Sequence, residues 1–566
     1  MITLSKFERL VMANIAQKPV ELPDMGEDGE LLGSWALSLS GMNKHEQYAH
    51  IQVLLSDLLV AEMDDQDRLQ MMTVLTPTIE RVIGRLRNDY IYEHQNLTDT
   101  QQQSTSEVRS LHFIMVLIYK NIASRAYVEL HQSENGNSPL NDNCLKKLVK
   151  TVSGNNKDRV AVAIYHMTRL YVKLLLEYAL TYQRAPRVIW QQLNFWYLRA
   201  IHEGVAYSDI QKTDKRLPED SIHRQYEQAC ISSFINAFAY RRQDILNMFK
   251  IMPSWTKYVH STFEPRPELK IFVNLLGNHP PELITPYATV NPYSDEYQCL
   301  FFDADPLIEY LLEVRAGKHI TADAQSVFEV RLAKMVLLAF DRQSKQDRID
   351  RIGQQGGQLL TGLSAVWHEL SGGKELGEVI NYQALSDARQ PRSLQPPLAK
   401  PLPQDTVKIT SKTESSVRFN YTKAFKISED VRESVPDRSF LQVFGLFALR
   451  SDNSKNTNPW QLGIAHWVDR YHEDIEVDGR FLGRILMAAG VRLLTSNRRS
   501  QEFAYALLID GDELNKQSTL IVPRYHFNVG DLVLLRIDTK EIQLRLERNL
   551  LSTDEIEQYQ IVRLTN

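Results

Sequence analysis

Cysteine is scarce. Only Cys144, Cys230 and Cys299 occur in 566 residues, and they stand far apart. That spacing offers neither a disulfide framework nor a zinc site, and it fits a reducing, cytoplasmic setting. Long hydrophobic runs are missing too. Charged or polar residues interrupt each apolar stretch before the roughly 18 residues that a membrane-spanning helix needs, so no span is expected. Met1 to Glu21 holds no apolar core of signal-peptide length. Neither sign of charge dominates: 65 basic and 70 acidic residues give a net charge of −5. This balance argues against a general nucleic-acid coat but leaves room for a local basic pocket.

Catalytic patterns are lacking as well. The chain has no Gly-x-x-x-x-Gly-Lys phosphate loop, no Gly-x-Ser-x-Gly elbow and no His-Glu-x-x-His helix. His166, His202, His223 and His260 are scattered without a second ligand at coordinating spacing. Asp303, Asp305 and Glu309 cluster at a helix start, where Asp305 reads as an N-cap with Pro306 at the first helical position. The expectation is a protein that is not an enzyme and needs no cofactor.

What is present is an ordinary globular composition, 43% apolar and 24% charged, in a chain long enough for two or three domains. Residues 1–252 read as a helical domain. Helices are expected near Lys44–Met63, Asp67–Tyr92 and Thr105–His131, with glutamine-rich and asparagine-rich loops at Glu93–Ser106 and Gln132–Asn143. Ala163, Met167, Leu170, Leu174 and Tyr178 form one helical stripe. Trp190, Leu193 and Tyr197 form another, from which Trp196 departs, and Ser221–Phe249 reads as a single long helix. Residues 253–340 carry clustered prolines, short strands at Lys270–Leu275 and Gln298–Phe302, and two helices, and read as a mixed α/β connector.

Residues 341–566 change period. After a first strand from Gln358 to Glu369 and a proline-rich insertion at about 386–404, short apolar runs are separated by Gly, Asn, Asp and Pro. Ile542-Gln543-Leu544-Arg545-Leu546 alternates strictly, as a strand with one buried face does. Several such strands make a small barrel or sandwich. The fold class expected is α+β, a multi-helical N-terminal region followed by an antiparallel β-barrel.

The C-terminal segments carry a resemblance. Val443-Phe444-Gly445-Leu446 is followed by Trp460-Gln461-Leu462-Gly463-Ile464-Ala465-His466-Trp467-Val468. Then come Gly490-Val491-Arg492-Leu493-Leu494, Leu520 to Pro523, and Gly530-Asp531 before a leucine-rich strand. In order and spacing these resemble the PilZ-domain family of bacterial cyclic di-GMP receptors, in its FimW-like subgroup with a long helical N-terminal region. His466 stands where that subgroup has Arg. The resemblance implies a cytoplasmic adaptor that answers cyclic di-GMP and regulates surface behaviour (type IV pili, motility or attachment) through a protein partner. The signatures of enzymes that make or break that messenger are absent.

The same resemblance implies two ligand motifs. An Arg-x-x-x-Arg motif precedes the first barrel strand, and an Asp/Asn-x-Ser-x-x-Gly motif lies on a later one. Arginine suits the task, because its guanidinium forks onto phosphate oxygens and guanine edges and stacks on rings. In the first place stands Arg342-Gln343-Ser344-Lys345-Gln346-Asp347-Arg348-Ile349-Asp350-Arg351, with Arg348 and Arg351 three apart rather than four. In the second stands Thr413-Glu414-Ser415-Ser416-Val417-Arg418, where only Ser415 fits and Arg418 replaces the glycine. The implied nucleotide-binding set is Arg342, Lys345, Arg348, Arg351, Ser415 and Arg418. Arg389, Arg392, Arg498 and Arg499 are further cations. The plainer reading makes the first segment a solvated helix end and the second an exposed strand. The rival functions are a degenerate scaffold that binds no nucleotide, and an enzyme with its site in the helical region.

Overall fold

The structure is a computed structural model. It describes residues 1–93, 97–135, 143–234, 240–284, 289–318, 329–334, 336–337, 355–381, 407–413, 415–422, 441, 443–451, 460–471, 474–494, 502–511, 517–524, 526–553 and 555–564. The chain divides into two compact units, the first within Met1–Ser344 and the second centred on Lys345–Asn566.

The first unit is mainly helical: α1 (Leu4–Met12), α2 (Glu30–Ser38), α3 (Lys44–Val60), α4 (Asp65–Arg87), α5 (Asp99–Asn135), α6 (Asn143–Leu180), α7 (Arg187–His202), α8 (Ile222–Phe234), α9 (Arg242–Trp255) and α10 (Asp305–Arg315). Helices α5 and α6 pack lengthwise at its centre. Leu111 to Ala123 of α5 is buried all round, as a central helix must be. Glutamine is a good helix former, and α5 takes up most of the expected glutamine-rich loop. Its start is a reciprocal cap: Thr98 N–H donates to Gln101 Oε1 (2.9 Å), and Gln101 N–H to Thr98 Oγ1 (3.4 Å). The single helix expected over Ser221–Phe249 is instead two, α8 and α9. At the start of α10 the residue roles shift by one, with Ala304 at the N-cap. Asp305 is the first helical residue, and Asp303 accepts its N–H at 3.0 Å.

Strands β1 (His260–Thr262), β2 (Ile271–Asn274), β3 (Glu282–Leu283) and β4 (Cys299–Asp303) form a small antiparallel sheet in the order β1-β4-β2-β3. Asn194, fully buried on α7, ties the loop after β2 to the helices. Its amide donates to the carbonyls of Gly277 (3.2 Å) and His279 (3.3 Å), while its Oδ1 accepts from Tyr226. Trp196 is only 5% exposed and packs edge-on to Phe195, so both faces of α7 contribute to packing.

The second unit contains not one closed barrel but two. The first comprises β5 (Gln355–Thr361), β6 (Val407–Lys412), β7 (Ser416–Thr422), β8 (Leu446–Ser451), β9 (Gln461–Tyr471) and β10 (Asp474–Gly483), closed in the order β10-β7-β6-β5-β8-β9. The second comprises β11 (Leu486–Leu493), β12 (Ala504–Ile509), β13 (Thr519–Pro523), β14 (Leu532–Ile537), β15 (Lys540–Ser552) and β16 (Ile556–Arg563), in the order β11-β12-β13-β16-β15-β14. Period-2 burial builds each interior: Val417, Phe419 and Tyr421 of β7 are buried while Arg418 and Asn420 are not. Leu446 and Ala448 are buried on the opposite face, where a shared core joins the barrels through Leu462, Leu486, Ala488 and Leu507.

The expected first strand ends early. Gly362, at φ +83°, stops β5, and Leu363–Leu370 forms a helix, α11, followed by the short α12 (Leu376–Val379). The proline-rich insertion lies outside the described residues.

Candidate functional site

One end of the first barrel gathers cations around a tight turn. Between β6 and β7, Thr413 N–H donates to Ser416 O (2.8 Å), and Ser416 N–H donates back to Thr413 Oγ1 (3.0 Å). Thr413 thus does for this turn what an aspartate does elsewhere. Ser415 is exposed at the tip, and its carbonyl accepts Phe481 N–H at 2.9 Å. That bond brings the end of β10 to the turn, with Arg480 directly opposite Ser416. Arg480 is exposed, while Phe481 turns inward and is 3% exposed.

A register slip between Phe481 and Gly483 then bends the chain out of the barrel. Arg484 and Ile485 alone connect β10 to β11, so Arg484 stands in the joint between the two barrels. Lys412, the last residue of β6, places its ammonium 5.8 Å from the Phe481 ring centroid. Burial, and then the nearby Arg484, push the Lys412 ammonium below its ordinary pKa. At the same end Arg450 of β8 donates to Gln358 Oε1 and lies 4.5 Å over the Trp460 ring. Strand β5 runs antiparallel to β6, with Gln355 opposite Ile409, so the chain enters β5 at this end too.

The expected site residues fall as follows. Arg342, Lys345, Arg348 and Arg351 lie outside the described residues, as do Arg389, Arg392, Arg498 and Arg499. Ser415 lies in the turn beside Arg480. Arg418 stands on the outer wall, between Asp478 (3.4 Å) and Glu476 (3.9 Å) and 5.7 Å from the Trp467 ring. The structure therefore brings Ser415 to a cationic rim and Arg418 to two carboxylates. His466 is the extra residue of a bulge, since Asp478 pairs with Trp467 and Gly479 with Ala465. Its ring is half-buried, edge-on to Phe444.

Sequence reasoning missed Arg480 and Arg484. The signal was present: Arg480-Phe481-Leu482-Gly483-Arg484 has the Arg-x-x-x-Arg spacing and lies just ahead of Gly490-Val491-Arg492-Leu493-Leu494. In a single barrel the Arg-x-x-x-Arg place falls before β5. With two barrels, a second first strand, β11, follows Arg484 directly.

Elsewhere, a groove of about 450 Å³ opens on the helical unit, lined by Met12, Tyr127, Val128, Phe195, Trp196 and Arg199 among others. Phe195 (42%) and Val128 (52%) are exposed on it. Among the described residues no three of His, Cys, Asp and Glu are grouped to hold a metal. No described helix is long and apolar enough to cross a membrane.

Comparison with known proteins gives two family matches in chain order. Residues 30–266 match the model "Cyclic-di-GMP receptor FimW, N-terminal domain", and residues 489–564 match "FimW C-terminal beta-barrel domain". The second match lies in the second barrel, directly after Arg484. The chain is also similar to the cyclic-di-GMP receptor FimW of Pseudomonas aeruginosa, at 19% identity over 93% of this chain and 89% of that one. No solved structure matches. The two matches together cover more than half of the chain and fall at its two ends in the same order as in that receptor, so the chain belongs to the FimW family, a family of receptors rather than of enzymes.

Proposed function

We propose that this protein is a receptor for cyclic di-GMP that binds the messenger's phosphates and guanines at the cationic end of the first barrel. One observation carries the reading: Arg480, at receptor-motif spacing from Arg484, meets the Ser415 turn shortly ahead of the second barrel. Guanidinium groups fork onto phosphate oxygens and stack on purines, which a doubly phosphorylated dinucleotide rewards. Ser415 offers an exposed hydroxyl. Arg342, Lys345, Arg348 and Arg351, leading into β5, supply the second group of cations. Arg418, already flanked by carboxylates, is the weakest member of the set. The liganded receptor then acts in the cytoplasm on a protein partner of the pilus or motility machinery, for which the apolar groove on the helical unit is the suited surface. The groove's aromatic lining, without a cluster of acids, favours this over an enzyme site.

Calorimetry with cyclic di-GMP on the full chain tests the reading. The unmodified protein should bind, and Arg480→Ala with Arg484→Ala should lose affinity about 100-fold or more, since a hydrogen bond to a charged group contributes about 1.5–3 kcal/mol. Arg348→Ala with Arg351→Ala should weaken binding as well. The broken spacing at Arg348 and Arg351 favours the second reading, a scaffold that binds no nucleotide. No heat at tens of micromolar would establish that reading instead.

A further inference from the structure

We infer that the groove on the helical unit seats one acidic amphipathic helix of a partner protein, with its apolar face in the groove and a carboxylate on Arg199. The inference rests on the reading above that a partner docks there, and adds what that partner must present. Two helical stripes frame the groove. Lys120, Ser124, Tyr127 and Val128 recur along α5, and Gln192, Phe195, Trp196 and Arg199 along α7. Each stripe spans about 10–12 Å, or roughly two turns of helix. Hydrogen bonds close both ends. At one end the last residues of α1 reach both stripes: Lys120 Nζ donates to Ala13 O (2.7 Å), and Gln192 Nε2 to Met12 Sδ (3.6 Å). At the other end Arg199 donates to Tyr127 Oη.

Between these closures the surface is apolar, with Met12, Val128 and Phe195 exposed. A short trough walled by helices offers side chains but no unpaired backbone edge. It therefore fits a helix laid in by anchors three and four residues apart, and not an added strand. The charge of the groove is one-sided. Lys120 and Arg199 line it, one near each end, and no carboxylate does. Arg199 is half-buried, its guanidinium 4.9 Å from the Tyr127 ring centroid and 5.2 Å from that of Phe195. The acids nearest in sequence are already taken, Glu129 by Arg159 at 3.0 Å and Glu203 by His131 at 3.1 Å. Among the described residues no carboxylate pairs with Arg199. The donors that Tyr127 leaves over can fork onto a carboxylate, and the bond strengthens where aromatic rings keep water away. A basic helix would instead meet like charge at both ends of the groove.

The experiment selects from a display library of helical peptides on the full chain. Leu, Phe or Met is fixed at every third or fourth position, and the flanking positions vary among Glu, Gln and Lys. Peptides enriched on the unmodified chain over Phe195→Asp should carry Glu at one end of the apolar face. The enriched peptide, synthesised with a fluorophore, should lose affinity about 10-fold or more in Phe195→Asp and in Arg199→Glu. Replacing the peptide's Glu by Lys should restore binding to Arg199→Glu. Leu37→Asp, which removes an exposed apolar group from α2, should leave binding unchanged. Circular dichroism checks that each variant folds. No enrichment over Phe195→Asp, or enrichment without a preference for Glu, overturns the inference. Self-association of the unmodified chain in sedimentation that Phe195→Asp abolishes also overturns it, because the occupant is then a second copy. Calorimetry with cyclic di-GMP on the same chain decides the receptor reading separately. No heat there with peptide binding intact removes the receptor and keeps the groove, and the converse result does the reverse.

Discussion

At the scale of single residues, Phe447 shows how the first barrel is filled. Its ring lies across two glycines on neighbouring strands, Gly463 and Gly479. A methyl group built on either would fall 2.4–2.5 Å from the ring. The aromatic replaces the side chains that these glycines lack, and the glycines allow the ring to lie flat. Gly479→Ala is therefore expected to overpack the barrel, at a cost of about 1–3 kcal/mol, and Phe447→Ala to cost about 3–5 kcal/mol. Urea unfolding monitored in the β-rich unit measures both. A neutral Gly479→Ala would mean that the ring lies elsewhere. Neither glycine could be assigned this role from sequence, because the partner ring is far along the chain. Arg480, next to Gly479, was equally hard to place, since its meaning depends on the strand that follows Arg484.

Among elements, α11 is the most consequential departure from the sequence reading. Leu359-Leu360 and Leu363 to Leu370 form one apolar stretch in which period alone does not separate strand from helix. Gly362 separates them, through a backbone angle that only the fold reveals. The helix leaves the first barrel and fastens to the second. Leu363 N–H donates to Glu555 Oε1 at 2.6 Å, and Trp367 Nε1 donates to Ala489 O at 3.0 Å. Trp367 is fully buried in the core that both barrels share. Trp367→Phe keeps most of the buried area but strands the Ala489 carbonyl, for an expected loss of about 1–3 kcal/mol. Trp367→Ala should cost about 3–5 kcal/mol. Denaturant midpoints that do not distinguish the two variants would rule out a role for the indole hydrogen bond. The strands of the second barrel were more legible, because Thr519–Pro523, Leu532–Ile537 and the alternating part of β15 are short, turn-bounded and apolar.

At the scale of the whole chain, the order of helical and β-rich units was readable because the hydrophobic period changes from helical to alternating. The number of barrels was not, since twelve strands close into one or two barrels with the same local patterns. The helical unit holds a different kind of hidden feature, a buried charge cluster assembled from three helices. Glu177 of α6 is 1% exposed, and it is held by Arg87 of α4 and by Tyr90 OH at 2.6 Å. Burial alone would raise its carboxyl, but Arg87 and its other partners more than reverse this, so it stays below the usual range. Beside it His112 of α5 is fully buried. Burial, with Lys173 and Arg87 nearby and against the pull of Glu177, lowers its imidazole from 6.5 to about 3.

The acid response of the helical unit follows from these two groups. Below pH 6.5 the unfolded chain takes up a proton at His112 that the native chain refuses until the pH nears 3. Stability therefore falls across that window, by at most about 1.4 kcal/mol per pH unit from this residue. Glu177 acts in the same direction at lower pH. Its depressed pKa stabilises the fold fully above about 4.5, and that contribution fades as the pH falls through the native value. Helicity at 222 nm followed through thermal unfolding from pH 7.5 to 4.5 should show a falling midpoint. In His112→Gln the fall should be shallower, whatever the offset at pH 7.5. Parallel curves for the two proteins would place the acid sensitivity in other groups and remove His112 from the account.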